Sequence, residues 1–512
     1  MITTLQPILV FLGLMTNLDA SQIPLGGGLE FKNVAQFDLG RLRRIPGVTA
    51  SAAAVEDGQL QIPLVFIAKG IGAGGVDQLI AVMEGASAVK VVNLSTGLAM
   101  TGPALAAPLF GKPWTSTFYA NKYIFAGGGN TSIYQINNAT AYAAVTGSPS
   151  PPAGNLVISF LDKLYVSDIA SAEGEVRVSD TLTTDFQASS IVNVKEIPGK
   201  VTALAVNSPS TDQQGIYTQL VIVKKNAIWV YDGTSKDVVS QIVGSDMPAS
   251  FANTQAGLVF LGRKGQKYTA FLLPIGTTGE PKDVGLGITD LIAGSSAFSP
   301  LGAAHAVTHG RFYKLFYSVG TENNNPHEVW LDTETLSMAG DIIWAGPHGR
   351  GQWDTSVVDD STLRLFKRGN VGANIHYAEN VDLASGFTDS SGNTLVVELD
   401  LPLNVPPKND EKVFELFELQ VAKEANVAGN SIGFEPIGEG ASKGVQSISV
   451  YDGTSQGISR VAIPMRSAGT TGMTARDARL KITQTVGQRL DILGGSIQYL
   501  VHEEWGEGRV RK

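Results

Sequence analysis

From Gly58 to about Asn380 one theme recurs: an apolar strand, a short polar turn, a second apolar strand, then a looser stretch. Gln78–Met83 turns into Val89–Asn93, and Phe118–Phe125 leads through Gly127–Asn130 to Ser132–Ile136. Leu156–Phe160 precedes Leu164–Asp168, Leu220–Val223 precedes Ala227–Tyr231, and Gly257–Leu261 precedes Tyr268–Leu273. Arg311–Tyr317 with Glu328–Asp332, and Thr362–Phe366 with Ile375–Ala378, complete the series. About seven hairpins at a spacing of roughly 40–60 residues match propeller blades built of four short strands. Blades arranged around an axis hide most strand edges, and a parallel β-helix would need a shorter, stricter period. No segment sustains a 3.6-residue apolar period. Thr289–Ala293 and Leu301–His305 read as single turns or loops.

Beyond Ser385 the texture changes. Thr394–Leu401 reads as a strand and Pro402–Asp410 as a proline-rich polar linker. Phe414–Val421, Ser447–Val450, Val461–Pro464, Ala478–Ile482 and Ile497–Val501 then alternate as short strands, the pattern of a β-sandwich. At the other end, Leu29, Phe31, Ala35 and Phe37 alternate with polar residues, Asp38–Gly40 turns, and Arg41–Ile45 returns, which is a hairpin. The expected fold class is all-β: a β-propeller of about 6–8 blades with an N-terminal hairpin arm and a C-terminal β-sandwich-like domain. The expected divisions are 1–57, 58–385 and 386–512.

Composition narrows the function classes. With 58 glycines and 23 prolines among 512 residues, many short strands joined by turns are favoured over long helices. A net charge of −9 argues against a high-affinity nucleic-acid binder. The absence of cysteine removes disulfides, thiolate metal sites and cysteine nucleophiles together. The apolar run Pro7–Met15 has no Lys or Arg before it and is too short to span a bilayer, so it reads as a strand or interface arm and no membrane anchor is expected.

Motifs that look chemical have bland readings. Gly70–Gly75 fits GxGxxG, but Gly75–Asn93 reads as a hairpin with no acidic residue in place, so a loop is expected. GxSxG occurs at Gly429–Gly433 and Gly453–Gly457, both in turns of the sandwich, with His502 the one later histidine. Tyr231–Ser235 recurs as Tyr451–Ser455, which is shared turn chemistry without the spaced acids of a calcium loop. His305 and His309 would suit a metal only on a helix, and His327, His348 and His376 are scattered. A propeller glycosidase needs paired carboxylates; Asp354, Asp359 and Asp360 are the candidates, and nothing singles them out. The expectation is therefore no enzyme, no catalytic or metal-binding residue and no cofactor.

One resemblance covers the whole chain loosely, and its N-terminal motif and closing strands closely. Leu18, Pro24, Gly27, Leu29, Asn33, Val34, Gly40, Leu42, Arg43, Arg44, Pro46 and Gly47, in that order, resemble the opening of tail nozzle proteins (tail tubular proteins of the B type) of short-tailed bacteriophages. Ala478–Ile482 and then Leu493–Tyr499 are similar to the closing strands of that family. The resemblance implies a structural virion protein made in the host cytoplasm and placed at the tail tip. It implies a homo-oligomer, a hexameric ring, below a tail adaptor protein and in contact with tail fibre or tip proteins. DNA would pass through an acidic, glycine-rich channel during ejection without sequence-specific binding. Arg41, Arg43, Arg44, Pro46, Gly47 and Asn33 are then the assembly-interface candidates, the arginines bonding carboxylates across the interface. The alternative is a receptor- or carbohydrate-binding propeller, with exposed aromatics such as Trp114, Trp344 and Trp353 in the blade loops.

Overall fold

The computed structural model describes residues 3–8, 11–16, 18–38, 41–51, 59–85, 88–106, 112–208, 218–293, 304–319, 322, 325–367, 376–380, 387–405, 412–423, 431–449, 457–465, 473–476, 478–485 and 490–501. It is a β-propeller joined to a β-sandwich. Six sheets stand as separate blades, and a seventh four-stranded module continues into the sandwich.

Each blade opens with an inner strand: Gln59–Ala68, Trp114–Tyr119, Leu156–Phe160, Val201–Asn207, Ala252–Thr254, His305–His309 and Thr355–Asp359 for blades 1 to 7. Each inner strand neighbours the next, Ala252–Thr254 reaching Val201–Asn207 through the Asn253 amide, which donates to Val206 O, and Thr355–Asp359 lies beside Gln59–Ala68, so the ring closes. Side chains stitch adjacent inner strands. The Thr115 and Thr117 hydroxyls of blade 2 accept from the backbone N–H groups of Val157 and Ser159 in blade 3. Asp354 of blade 7 accepts from Ile62 N–H of blade 1 at 3.2 Å.

Apolar side chains fill the seams between blades, not the axis. Phe66, Trp114 and Phe125 fill the seam of blades 1 and 2, and Ile124, Val157 and Leu164 that of blades 2 and 3. Trp229 packs between blades 3 and 4, Phe260 between 4 and 5, and Trp353 between 6 and 7. Ile62 and Phe366 share the closing seam of blades 7 and 1. Alternating strands bury one face against each neighbouring blade, which is why the strands read as nearly continuous apolar runs.

The seven predicted hairpins match strand pairs of the seven blades, with one correction of register. Phe118–Phe125 is not one strand: the left-handed pair Ala120 and Asn121 turns Trp114–Tyr119 into Lys122–Gly127. Ile375 and residues 368–370 lie outside the described residues. Thr289–Ala293 is a short helix of five residues, and His305 begins a strand. The Gly70–Gly75 segment is a loop with a short 3-10 turn at Ala73–Gly75, leading into strand Gln78–Gly85.

The N-terminal segment is not an appendage. Asn33, at a φ of 58°, breaks the expected strand into Glu30–Lys32 and Val34–Asp38, which enter different sheets. Glu30–Lys32 bridges Trp344–His348, the outer strand of blade 6, to Val397–Pro402 of the sandwich. Val34–Asp38 pairs with Arg41–Arg44, the expected hairpin, which adds to Asp491–Val501; its tip residues Leu39 and Gly40 lie outside the described residues. Thr3–Ile8 lies on the same C-terminal strand, and Val48–Ser51 supplies the outer strand of blade 7. Two sheets make the sandwich, Phe31, Leu399, Phe434 and Ile482 packing against Leu42, Phe417, Leu419 and Ile497. That core is continuous with Leu272 and Tyr313 of blades 5 and 6.

No helix among the described residues is long and apolar enough to cross a membrane.

Candidate functional site

The six residues singled out for assembly lie together, at the junction of the ring and the sandwich. Asp491 accepts from Arg41 at 2.6 Å and from Arg43 at 2.8 Å. Arg44 is fully buried, its guanidinium 4.9 Å from the Phe387 ring and 3.3 Å from Gln484 Oε1, and burial pulls its pKa down to about 10. Asn33 N–H donates to His348 Nδ1, its Nδ2 to Val396 O, and its Oδ1 accepts from Gly349 N–H. Pro46 O accepts from Arg350, and Gly47 O from Asn380 N–H. The carboxylate that Arg41 and Arg43 bond is therefore in the same chain.

Beside this junction, between blades 6 and 7, lies a buried ionic cluster. Arg350 donates to Glu328 through Nη2 at 2.5 Å and Nε at 3.0 Å, and also to Glu379. Lys314 Nζ is 2.8 Å from both Glu379 oxygens and 3.8 Å from the centre of the Trp330 ring. Burial pushes the Glu379 carboxyl up, but Lys314 and Arg350 outweigh it and hold the group well below the usual range. Burial pulls Lys314 down to about 8. Every charge here meets an opposite one, so the cluster is a seam closure.

A different arrangement occupies the ring face formed by the links into blades 4 and 5. Ile197–Lys200, the start of strand Val201–Asn207, the hairpin turn Lys224–Asn226 and Asp246 line a cleft of about 370 Å³. Its floor is held by the buried Lys224, whose Nζ donates to Val194 O at 2.6 Å and Ile197 O at 2.5 Å. Thr202 Oγ1 donates to Ser245 O, with Val223 O also in range at 3.1 Å, tying the blade 4 inner strand to the next link. Gly244 lets that link touch the turn: a Cβ there would stand 2.2 Å from Lys224 O and 2.5 Å from Asn226 N. Asp246 accepts from Tyr268 Oη at 3.1 Å, and burial together with this carboxylate raises the phenol to about 12. Lys200, Lys225 and Asn226 are exposed. Lys200 stands 3.6 Å from Asp168, while Lys225 has no side-chain partner among the described residues. A cleft of this size, its largely apolar lining set with a few polar groups, is the form of a small-ligand site.

The other sequence candidates have structural duties. Trp114, Trp344 and Trp353 are 6%, 1% and 0% exposed, so none is a surface platform; each was apolar enough to be drawn into a blade seam. Asp354 caps a backbone N–H of blade 1, Asp359 pairs with Arg364 at 2.6 Å, and Asp360 sits in a left-handed turn. Asp359 is the one carboxylate within the seven inner strands. His305 stacks on Phe316 at 4.6 Å, while His309 meets Glu379 at 3.1 Å, on opposite ends of one strand. Ser431 opens strand Ser431–Gly438 instead of a strand-to-helix elbow; Gly429, residues 451–456 and His502 lie outside the described residues. Asp232 accepts from the N–H groups of Thr234 and Ser235, which closes its turn. Sequence reasoning missed the cleft because its groups come from three links distant in the chain; the dipeptide Lys224–Lys225 at a hairpin tip was the available signal.

No family model matches the chain, and no curated protein matches it. Among solved structures it is similar to an exo-β-1,3-galactanase from Phanerochaete chrysosporium, at 10% identity and a TM-score of 0.26 over 78% of this chain and 99% of that one. It is similar to a fructofuranosidase from Schwanniomyces occidentalis at 7% identity and a TM-score of 0.28, over 89% and 97%. An ancestral GH74 enzyme matches at 11% identity and a TM-score of 0.38, over 78% and 54%. The expectation that the chain is no enzyme is withdrawn, the structures that it is similar to including an exo-β-1,3-galactanase and a fructofuranosidase. At this identity and overlap they assign the chain no activity.

Proposed function

We propose that this protein is a receptor- or carbohydrate-binding β-propeller that takes its ligand in the cleft of blades 3 to 5. The observation that carries the reading is the convergence of Lys200, Thr202, Lys225, Asn226 and Asp246 on one cleft at a ring face. The exposed amide of Asn226 and the ammonium groups of Lys200 and Lys225 offer hydrogen bonds to a polyhydroxylated ligand, beside the Thr202 and Asp246 oxygens already engaged within the chain. A glycan array probed with the full chain and with Gly244→Val tests it. Retention of a glycan by the full chain and loss in the variant is the expected result.

A second reading, a tail nozzle of a short-tailed phage, is favoured by one observation. The motif residues Asn33, Arg43, Arg44, Pro46 and Gly47 share one job, locking the ring to the sandwich, so their order in the sequence has a structural reason. It predicts six-fold rings, or completion of tails that lack the protein, in negative-stain images.

A further inference from the structure

Resting on the binding reading, we propose that the ligand of the cleft is an acidic saccharide, a sugar bearing a carboxylate or sulfate, whose anionic group faces Lys200 and Lys225. The cleft is lined by three lysines against one aspartate, on a chain whose net charge is −9; Asp168 stands 3.6 Å from Lys200, and Glu173 and Glu196 act on Lys224, so Lys225 is the lysine of the lining with no carboxylate paired to it among the described residues. Exposed ammonium groups gathered at one cleft attract an anionic substituent there.

The three lysines are not equivalent. Lys224 is spent on Val194 O and Ile197 O and builds the floor. Lys225, the next residue on the chain, is exposed and has no carboxylate paired with it among the described residues. Lys200 is only loosely paired, at 3.6 Å from Asp168. The one carboxylate of the cleft, Asp246, is occupied by Tyr268 and lies 3.8 Å from Arg263. It is thereby partly neutralised, and the two exposed ammonium groups set the sign.

The rest of the lining selects a sugar over a bare anion. Asn226 offers an amide at the turn, Gly199 leaves its Cβ side open with nothing within 4 Å, and Ile197 and Pro198 supply an apolar edge. A ring with hydroxyls on its rim and one anionic substituent satisfies all of these.

The test is calorimetric titration of the full chain with a glucuronate-bearing disaccharide, the matching neutral glucose disaccharide and inorganic phosphate. Lys225→Glu and Lys200→Glu are the variants; both side chains are exposed, and an unchanged Tm verifies their folding. The expected result is binding of the acidic disaccharide at least tenfold tighter than the neutral one, weakened at least tenfold by either variant and further by added salt. Equal affinity for both disaccharides, or indifference to both variants, overturns the proposal. So does phosphate binding as tightly as the acidic disaccharide, because the cleft would then read charge alone. If neutral glycans bind on an array while the acidic disaccharide does not, this inference fails and the binding reading stands. If no glycan of either kind binds, both fail.

Discussion

Arg350 and Glu328 form a two-pronged pair, 2.5 Å and 3.0 Å, with the arginine completely buried between blades 6 and 7. Arg350 also reaches Glu379 of blade 7 and Pro46 O of the segment that leads into the last strand of that blade. One guanidinium thus ties together the last two blades and the chain segment that completes the ring. Removing one partner of such a pair strands the other charge in the interior.

Arg350→Met is therefore expected to destabilise the fold by about 3–5 kcal/mol, because Glu328 loses both prongs. Urea unfolding followed by tryptophan fluorescence measures it. Lys225→Glu, at an exposed position, serves as a control expected within about 0.5 kcal/mol of the parent.

Stability falls on the acid side of neutrality. Burial pulls His305 down to about 3 and His376, also depressed by Arg364, down to about 4, from a usual 6.5. His348 is pulled well below its usual value by burial, with Arg350 and Lys314 adding to it. Between those values and 6.5 the unfolded chain takes up protons that the folded chain refuses, so stability present above pH 6.5 is lost as the pH falls. A loss on the order of a few kcal/mol between pH 7 and pH 4 is expected in Tm or urea midpoints. His305→Gln makes that slope shallower.

Gly244→Ala should displace the hairpin turn at Lys224–Asn226, since its Cβ would meet backbone at 2.2 Å and no flexible side chain can yield. The cost is about 1–3 kcal/mol, the range of overpacked sites. Thermal unfolding measures that cost, and amide exchange at Lys225 and Asn226 is expected to quicken in the variant.

Asp491→Ala leaves Arg41 and Arg43 without their shared carboxylate, which is 3% exposed. The arginines are partly solvated, so the cost is about 1–3 kcal/mol. The effect is local: limited proteolysis should cut near the Val34–Arg44 hairpin first, while the blades stay resistant.

Much of this fold was legible. Apolar runs such as Leu220–Val223 and Ala227–Tyr231 are buried on both faces because each blade lies between two others, and the turn Lys224–Asn226 separates them plainly. The break at Asn33 was faintly legible, since polar Asn33 and apolar Val34 invert the alternation there, but its left-handed backbone is held by His348 and Val396 far along the chain. The helix Thr333–Ala339 was missed although its caps stand in the sequence: Asp332 accepts from Thr335 N–H, and Gly340 ends it at a φ of 77°. At seven residues it is too short to show a period. The candidate site was the least legible part, because Lys200, Lys225 and Asp246 converge only once blade 4 has folded and the links on either side of it are packed.

A binding role for the cleft is put to the hardest test by retention of the full chain on a broad glycan array, beside the Gly244→Val variant. The parent should retain a glycan that the variant loses while its blades remain folded. Absence of any retained glycan, or equal retention by a variant whose Lys225–Asn226 turn is displaced, would contradict that role.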